Sequence, residues 1–202
     1  ITVSDGKIVS IEEGIKDPEA IDYGTNRIIP GIFDTHNHGT CGFDPANGQH
    51  LPKEQAKQQV RGYLKGLASQ GVTSIFPTVV ESDALSNIAE VAEEHEAIGA
   101  EILGIHSEGP WLNRVGEKGV RTGWPEISVE KAEKMVSDSK GWLKLVAIAP
   151  EIPGAYEVIE YFLSQGITVA AAHSDNHYKE AMEGYNKGIS VATHLGNVMT
   201  DI

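Results

Sequence analysis

Apolar runs of strand length alternate with stretches of helical period along most of this chain. Residues 1–13 alternate around Ser4-Asp5-Gly6-Lys7, and Asp-Gly between apolar positions is a hairpin signal. Val3, Ile8, Val9 and Ile11 are expected on the packing face of a small sheet. Residues 18–27 read as a connection, with Gly24 and Asn26 as turn residues. The run Ile28-Ile29-Pro30-Gly31-Ile32-Phe33 predicts a buried strand ending in the polar stretch Asp34-Thr35-His36-Asn37-His38.

Strand and helix signals then take turns. A helix is predicted over 52–69, with Ala56, Val60, Leu64, Leu67 and Ala68 at helical spacing, Pro52 suited to the first turn and Gly71 past the end. A β-branched strand follows over 72–80. The next helix spans 83–98, with Leu85, Ile88, Ala89, Ala92 and His95 near one face. Further strands are predicted at 102–105, 143–149, 167–172 and 189–193. The intervening helices fall at 128–137 (Ser128 as N-cap, with Ala132, Met135 and Val136 inward), 155–163 and 177–187, the last two stopped by Gly166 and Gly188.

Six strands alternating with helices imply a parallel sheet with right-handed crossovers. A doubly wound sheet would bring a glycine-rich nucleotide turn after its first strand, and Gly39 and Gly42 do not make one, since no helix starts there. A (β/α)8 barrel keeps its chemistry at the C-terminal ends of its strands, where the reactive side chains of this chain fall. The expected fold class is therefore α/β, a (β/α)8 TIM barrel. It is incomplete, at about six of eight units, with both ends of the chain looking cut. Residues 1–27 are taken as part of a small β-sandwich domain and 28–202 as the barrel domain.

Composition narrows the partners. The net charge of -13 argues against nucleic acid, whose phosphates attract basic surfaces. A small anionic substrate stays compatible with it. The single cysteine, Cys41, allows no internal disulfide, which fits a reducing, cytoplasmic setting. The longest apolar runs are strand-length, and neither a signal peptide nor a membrane span is expected.

Four strand ends carry ligand-type side chains. His36 and His38 stand two apart and so on one face of the first barrel strand. His106 and Glu108 do the same in GIHSEGP, His173 follows AAA, and His194 precedes Asn197 by three. One such pattern is weak, but a series at successive strand ends outweighs the reading of each as a core histidine. His50 and His95 are read as surface or half-buried residues, His177 as the opening of a helix, and His106 as an orienter or packed neighbour. Cys41 is read as a small side chain.

PGIFDTHNHG, GIHSEGPWLN, AAAHSDNH and THLGN, in this order, resemble the amidohydrolase superfamily and, within it, the N-acetylglucosamine-6-phosphate deacetylases. The resemblance runs from the DGKI hairpin to THLGN. It implies deacetylation of an N-acetyl amino-sugar 6-phosphate by metal-activated hydroxide, with one or two Zn²⁺ or Fe²⁺ ions. Glu108, His173 and His194 then hold the principal ion, His36 and His38 a second, and Glu108 bridges them. Val120 and Arg121 fall in the sugar-contacting loop, and Asn197 and Val198 match a substrate-contacting pair. Departures lie at Val120-Arg121, where relatives carry a small residue and then His, and at Gly196 and Val198, where they carry an aromatic and Ala.

The general acid/base, an aspartate, and a histidine and arginine for the sugar phosphate are implied beyond Ile202, so that this chain alone is expected to turn over little substrate. A homodimer is implied for the full-length protein. Two other readings compete. A dihydroorotase-like or deaminase-like amidohydrolase would use a carboxylated lysine on the fourth strand, yet Lys144 lies at that strand's start. An inactive metal-binding module would keep the ligands without turnover.

Overall fold

The computed structural model describes residues 1–46, 50–80, 82–115, 120–121 and 126–199, without the side chains of Ser82, Val115, Val120 and Arg121. The chain divides into two units, Ile1–Pro30 and Gly31–Ile202, three residues later than the 27/28 division read from sequence.

In the first unit, β1 (Thr2–Ser4) and β2 (Lys7–Ser10) pair antiparallel. Asp5 and Gly6 both take positive φ, 50° and 71°, as a two-residue type I′ hairpin requires. Val3, Ile8, Val9 and Ile11 are all exposed, because a two-stranded ribbon of this size has no core of its own. Ile28 and Ile29, expected in a buried strand, are exposed and lie outside any strand.

The second unit is a parallel α/β sheet. Its strands are β3 (Ile32–Asn37), β4 (Val72–Val79), β5 (Glu101–Ile102), β6 (Ile105–Glu108), β9 (Leu143–Ile148), β10 (Thr168–Ala171) and β11 (Val191–Ala192), with a separate antiparallel ribbon of β7 (Arg114–Val115) and β8 (Val120–Arg121). The order is β11-β10-β9-β6-β4-β3, and β5 pairs with β4. All pairings in this sheet are parallel. Among the described residues, β3 and β11 are edges, so Ile32 and Phe33 are half exposed at 51% and 49% rather than buried.

Helices α1 (Lys53–Ser69), α2 (Leu85–Glu93), α3 (Val129–Asp138), α4 (Ala155–Ser164) and α5 (Tyr178–Asn186) connect successive strands. Ala56, Val60, Tyr63, Leu64 and Leu67 make one buried stripe of α1, while Ala68 is exposed. Ser128 Oγ accepts from Lys131 N at 3.2 Å and caps α3. Helix α2 ends at Glu93, five residues earlier than its periodicity predicts. His95 takes φ 50°, and the chain turns back so that Ala100 N donates to Leu64 O at 3.0 Å. Gly99 permits that approach, since a Cβ there would lie 2.3 Å from the same carbonyl oxygen.

The sheet's two faces pack differently. Val146, Ile148 and Val169 join the large cluster with the helices. Leu145, Ala147, Ala170 and Ala172 form a small cluster with Leu112 on the opposite face. Pairing of His106 with Leu145 and of Glu108 with Ala147 puts both polar residues on that second face. The strand expected at 102–105 is split into β5 and β6, and β6 runs on to Glu108, so that both residues are part of a strand.

Candidate metal centre

Four imidazoles from three strand ends converge on one carboxylate at a fourth. Glu108 Oε1 lies 2.7 Å from His194 Nε2, 2.9 Å from His173 Nε2 and 3.8 Å from His36 Nε2. Glu108 Oε2 lies 2.8 Å from His38 Nε2. One ligand atom each from His36, Glu108 and His194 falls within a mutual 4.8 Å. The rings of His173 and His194 stand edge to face at 4.9 Å between centroids.

Local structure fixes each member. Asp34 Oδ1 accepts from His36 N at 3.1 Å, and Thr78 Oγ1 accepts from Asn37 N at 3.0 Å. Tyr63, fully buried on α1, donates to Asn37 O at 3.0 Å, which pins the backbone between His36 and His38. His106 Nδ1 lies 2.9 Å from Thr35 O and 3.3 Å from His36 Nδ1, so His106 packs behind His36. His173 and His194 take φ 51° and 33°, a region uncommon for non-glycine residues and found where surrounding structure enforces it.

Electrostatics follow from this crowding. Burial opposes ionisation of Glu108, yet His173, His38 and His194 outweigh it and hold its carboxyl well below the usual carboxylate range. His36 is lowered, chiefly by burial, and His38 is raised, chiefly by its bond to Glu108. Burial brings His106 down to about 4, leaving it neutral at physiological pH.

The structure thus brings together His36, His38, Glu108, His173 and His194. Asn197 and Val198 lie on the turn that follows His194, where Asn197 N donates to His194 O at 2.9 Å and Val198 takes φ 51°. Val120 and Arg121 form β8, opposite β7, and their side chains lie outside the described residues. Tyr63, Thr78, Asn113 and Glu151 were not singled out from the sequence. Tyr63 falls on the α1 stripe with Val60 and Leu67, a spacing that marks it as inward but not as a donor to the strand that carries the histidines.

A divalent cation fits this donor set. Glu108 is 4% exposed, its carboxyl is held below the usual carboxylate range, and nitrogen atoms of four imidazoles surround it, so a buried carboxylate and several nitrogen donors face one point. Imidazole nitrogens with a carboxylate oxygen are the ligands of zinc and ferrous sites. Among the described residues His194 Nδ1 is buried with no hydrogen-bond partner, consistent with a ring placed for what its Nε2 does.

Fold and site together define an incomplete (β/α)8 barrel of the metal-dependent hydrolase type. Residues 27–202 match the Amidohydrolase family, and the chain belongs to it. It is 32% identical over 208 residues to N-acetylglucosamine-6-phosphate deacetylase of Vibrio furnissii, covering 98% of this chain and 50% of that protein. Identity to N-acetylglucosamine-6-phosphate deacetylase of Bacillus subtilis (strain 168) is 29% over 213 residues, covering 99% of this chain and 52% of that one. The crystal structure of N-acetyl-D-glucosamine-6-phosphate deacetylase from Mycobacterium smegmatis superposes with a TM-score of 0.68 at 25% identity, over 86% of this chain and 48% of that chain. The chain spans about half the length of these curated relatives. No helix among the described residues is long and apolar enough to cross a membrane.

Proposed function

We propose that this chain supplies the metal centre of an enzyme that deacetylates an N-acetyl amino-sugar 6-phosphate, converting N-acetylglucosamine 6-phosphate to glucosamine 6-phosphate and acetate. The observation that carries this reading is the single carboxylate, Glu108, shared by His36, His38, His173 and His194. The names of the relatives supply the substrate class.

Glu108, His173 and His194 would hold the principal ion, Zn²⁺ or Fe²⁺, and His36 and His38 a second. Such an ion supplies Lewis-acid polarisation of an amide carbonyl and brings the pKa of water down to about 7. The chain's own part is to orient the ligands and to keep their charge balanced. Glu108 stays ionised, His106 stays neutral behind His36, and the strand ends fix the ligand positions. Asn197, Val198, Val120 and Arg121 are assigned to the sugar. The ribbon that bears Val120 and Arg121 begins at Arg114, whose carbonyl lies 2.5 Å from His173 Nδ1. Protonation of the leaving amine requires a general acid, a role we assign to an aspartate outside residues 1–202. A homodimer in the cytoplasm completes the proposal.

The dihydroorotase-like reading needs a lysine carboxylate among the ligands. Lys144 is exposed at the start of β9, the opposite end of the strand from the site, and the carboxylate that the surrounding histidines face is that of Glu108. The deciding experiment measures acetate release by the full-length gene product, loaded with zinc or iron, from the 6-phosphates of N-acetylglucosamine and N-acetylgalactosamine. Turnover of either, lost in Glu108→Gln, is expected. Hydrolysis of a cyclic amide in their place would overturn the proposal.

A further inference from the structure

His173 is secured more elaborately than a single ligand contact requires. Its carbonyl accepts from both Asn113 N and Arg114 N, each at 3.0 Å, and its Nδ1 lies 2.5 Å from Arg114 O. Backbone and ring are thus docked on the same short segment, 113–114. Its φ of 51° is a conformation that persists in a non-glycine residue only when the surroundings enforce it.

Glu151 ties these surroundings together. It lies three residues past the end of β9, the strand between the one that bears Glu108 and the one that leads to His173. Its Oε1 accepts from Asn113 Nδ2 at 2.8 Å and from Asp175 N at 2.5 Å, while its Oε2 accepts from Ser174 Oγ at 3.0 Å. Ser174 Oγ in turn accepts from Asn176 N at 3.1 Å. One carboxylate therefore grips the residue before Arg114 and the two residues after His173.

We propose that Glu151 is a positioning residue for His173: it clamps segments 113–114 and 174–175 so that the imidazole presents Nε2 to the metal site. This rests on the metal-centre reading given above. The clamp works through hydrogen-bond geometry. A glutamine keeps both bonds to Oε1, and the Ser174 hydroxyl can turn to accept from its amide. An alanine leaves all three donors without this partner, and the left-handed turn at His173 loses its brace.

The test measures Zn²⁺ affinity of the full-length gene product by competition with a chromophoric chelator, with circular dichroism as the check on folding. Glu151→Ala is expected to weaken zinc binding about 10- to 100-fold, as changes behind a ligand do. Glu151→Gln is expected to stay close to wild type. In a His173→Ala background, Glu151→Ala is expected to add nothing, because the two act as a unit. Wild-type affinity in a folded Glu151→Ala protein overturns the inference. So does a loss by Glu151→Gln as large as that by alanine, or an undiminished loss in the His173→Ala background. Should Glu151→Ala fail to fold, Asn113→Ala, which removes one bond of the clamp, must lower affinity by an intermediate factor, and unchanged affinity there counts against it. A wild-type protein that takes up no zinc removes the metal centre itself, and this inference with it.

Discussion

His194 Nε2 and Glu108 Oε1 lie 2.7 Å apart although 86 residues separate them along the chain. The rings of His36 and His194 follow the same logic. They come from β3 and from just past β11, the two ends of the sheet order, yet their centroids are 5.2 Å apart. A flat sheet of that width could not bring them together. Strand spacing of about 4.8 Å would set its outer strands well over 20 Å apart. Right-handed twist and curl make the C-terminal ends meet, as in a barrel wall.

Glu108 is the hub of that meeting, so its neutral isostere gives the first prediction. Glu108→Gln would remove the charge that the proposed ion balances and one candidate donor oxygen. Zinc affinity, measured by chelator competition, should fall by more than the roughly 10- to 100-fold expected for a residue behind a ligand. Affinity within threefold of wild type would mean that the carboxylate is not a ligand.

Metal removal gives the second. An ion that binds only the folded protein stabilises it by about 2.7 kcal/mol at a free concentration one hundred times its dissociation constant. Thermal melting after exhaustive chelation should therefore occur several degrees lower than with zinc restored. His194→Ala should shrink the difference between the two curves. Equal melting temperatures with and without the ion would remove the site from the folded protein's stability.

Much of this was legible in the sequence because it rests on period and position. Alternation places His36 with His38 and His106 with Glu108, and short apolar runs mark where strands end. The supports were not legible, because tertiary contacts decide them. Nothing local says that Tyr63 donates to the backbone beside His36, or that Glu151 reaches Asn113, 38 residues away. The early end of α2 was hidden for the same reason, since the helical period continues to Ile98 while Gly99 and Ala100 turn back onto Leu64. Burial of Ile32 and Phe33 was overestimated because an apolar run looks the same at a sheet edge as at its centre, while Ile28 and Ile29 join no strand at all.

Tyr63 supplies the third prediction. Its hydroxyl is buried, and burial raises its pKa, so it acts as a neutral donor to Asn37 O. Phenylalanine keeps the packing and leaves that carbonyl without this donor, at a cost of about 1 kcal/mol. Denaturant unfolding should show that loss. Zinc uptake by the His36 and His38 pair should weaken while that by His173 and His194 holds. A variant as stable as wild type would show that the bond contributes nothing.

The last prediction concerns pH and lies away from the site. Helices α1 and α2 are joined where Glu94 meets Lys57 and, through both carboxylate oxygens, Arg61 at 2.9 and 2.7 Å. The hydrogen bond from Lys57, with that from Arg61, holds the Glu94 carboxyl below its ordinary 4.5. A depressed carboxylate contributes stability that is complete above the unfolded pKa and is lost as pH falls through the folded one. Because the pair is partly exposed, its contribution is about 0.2–1 kcal/mol and is screened by salt. Glu94→Gln should therefore destabilise the protein by that amount at pH 7 in low salt. The gap between variant and wild type should narrow as pH drops below 4.5, and it should narrow at neutral pH when salt is raised to 1 M. A gap that ignores both pH and salt would assign the loss to packing of the side chain instead of to its charge.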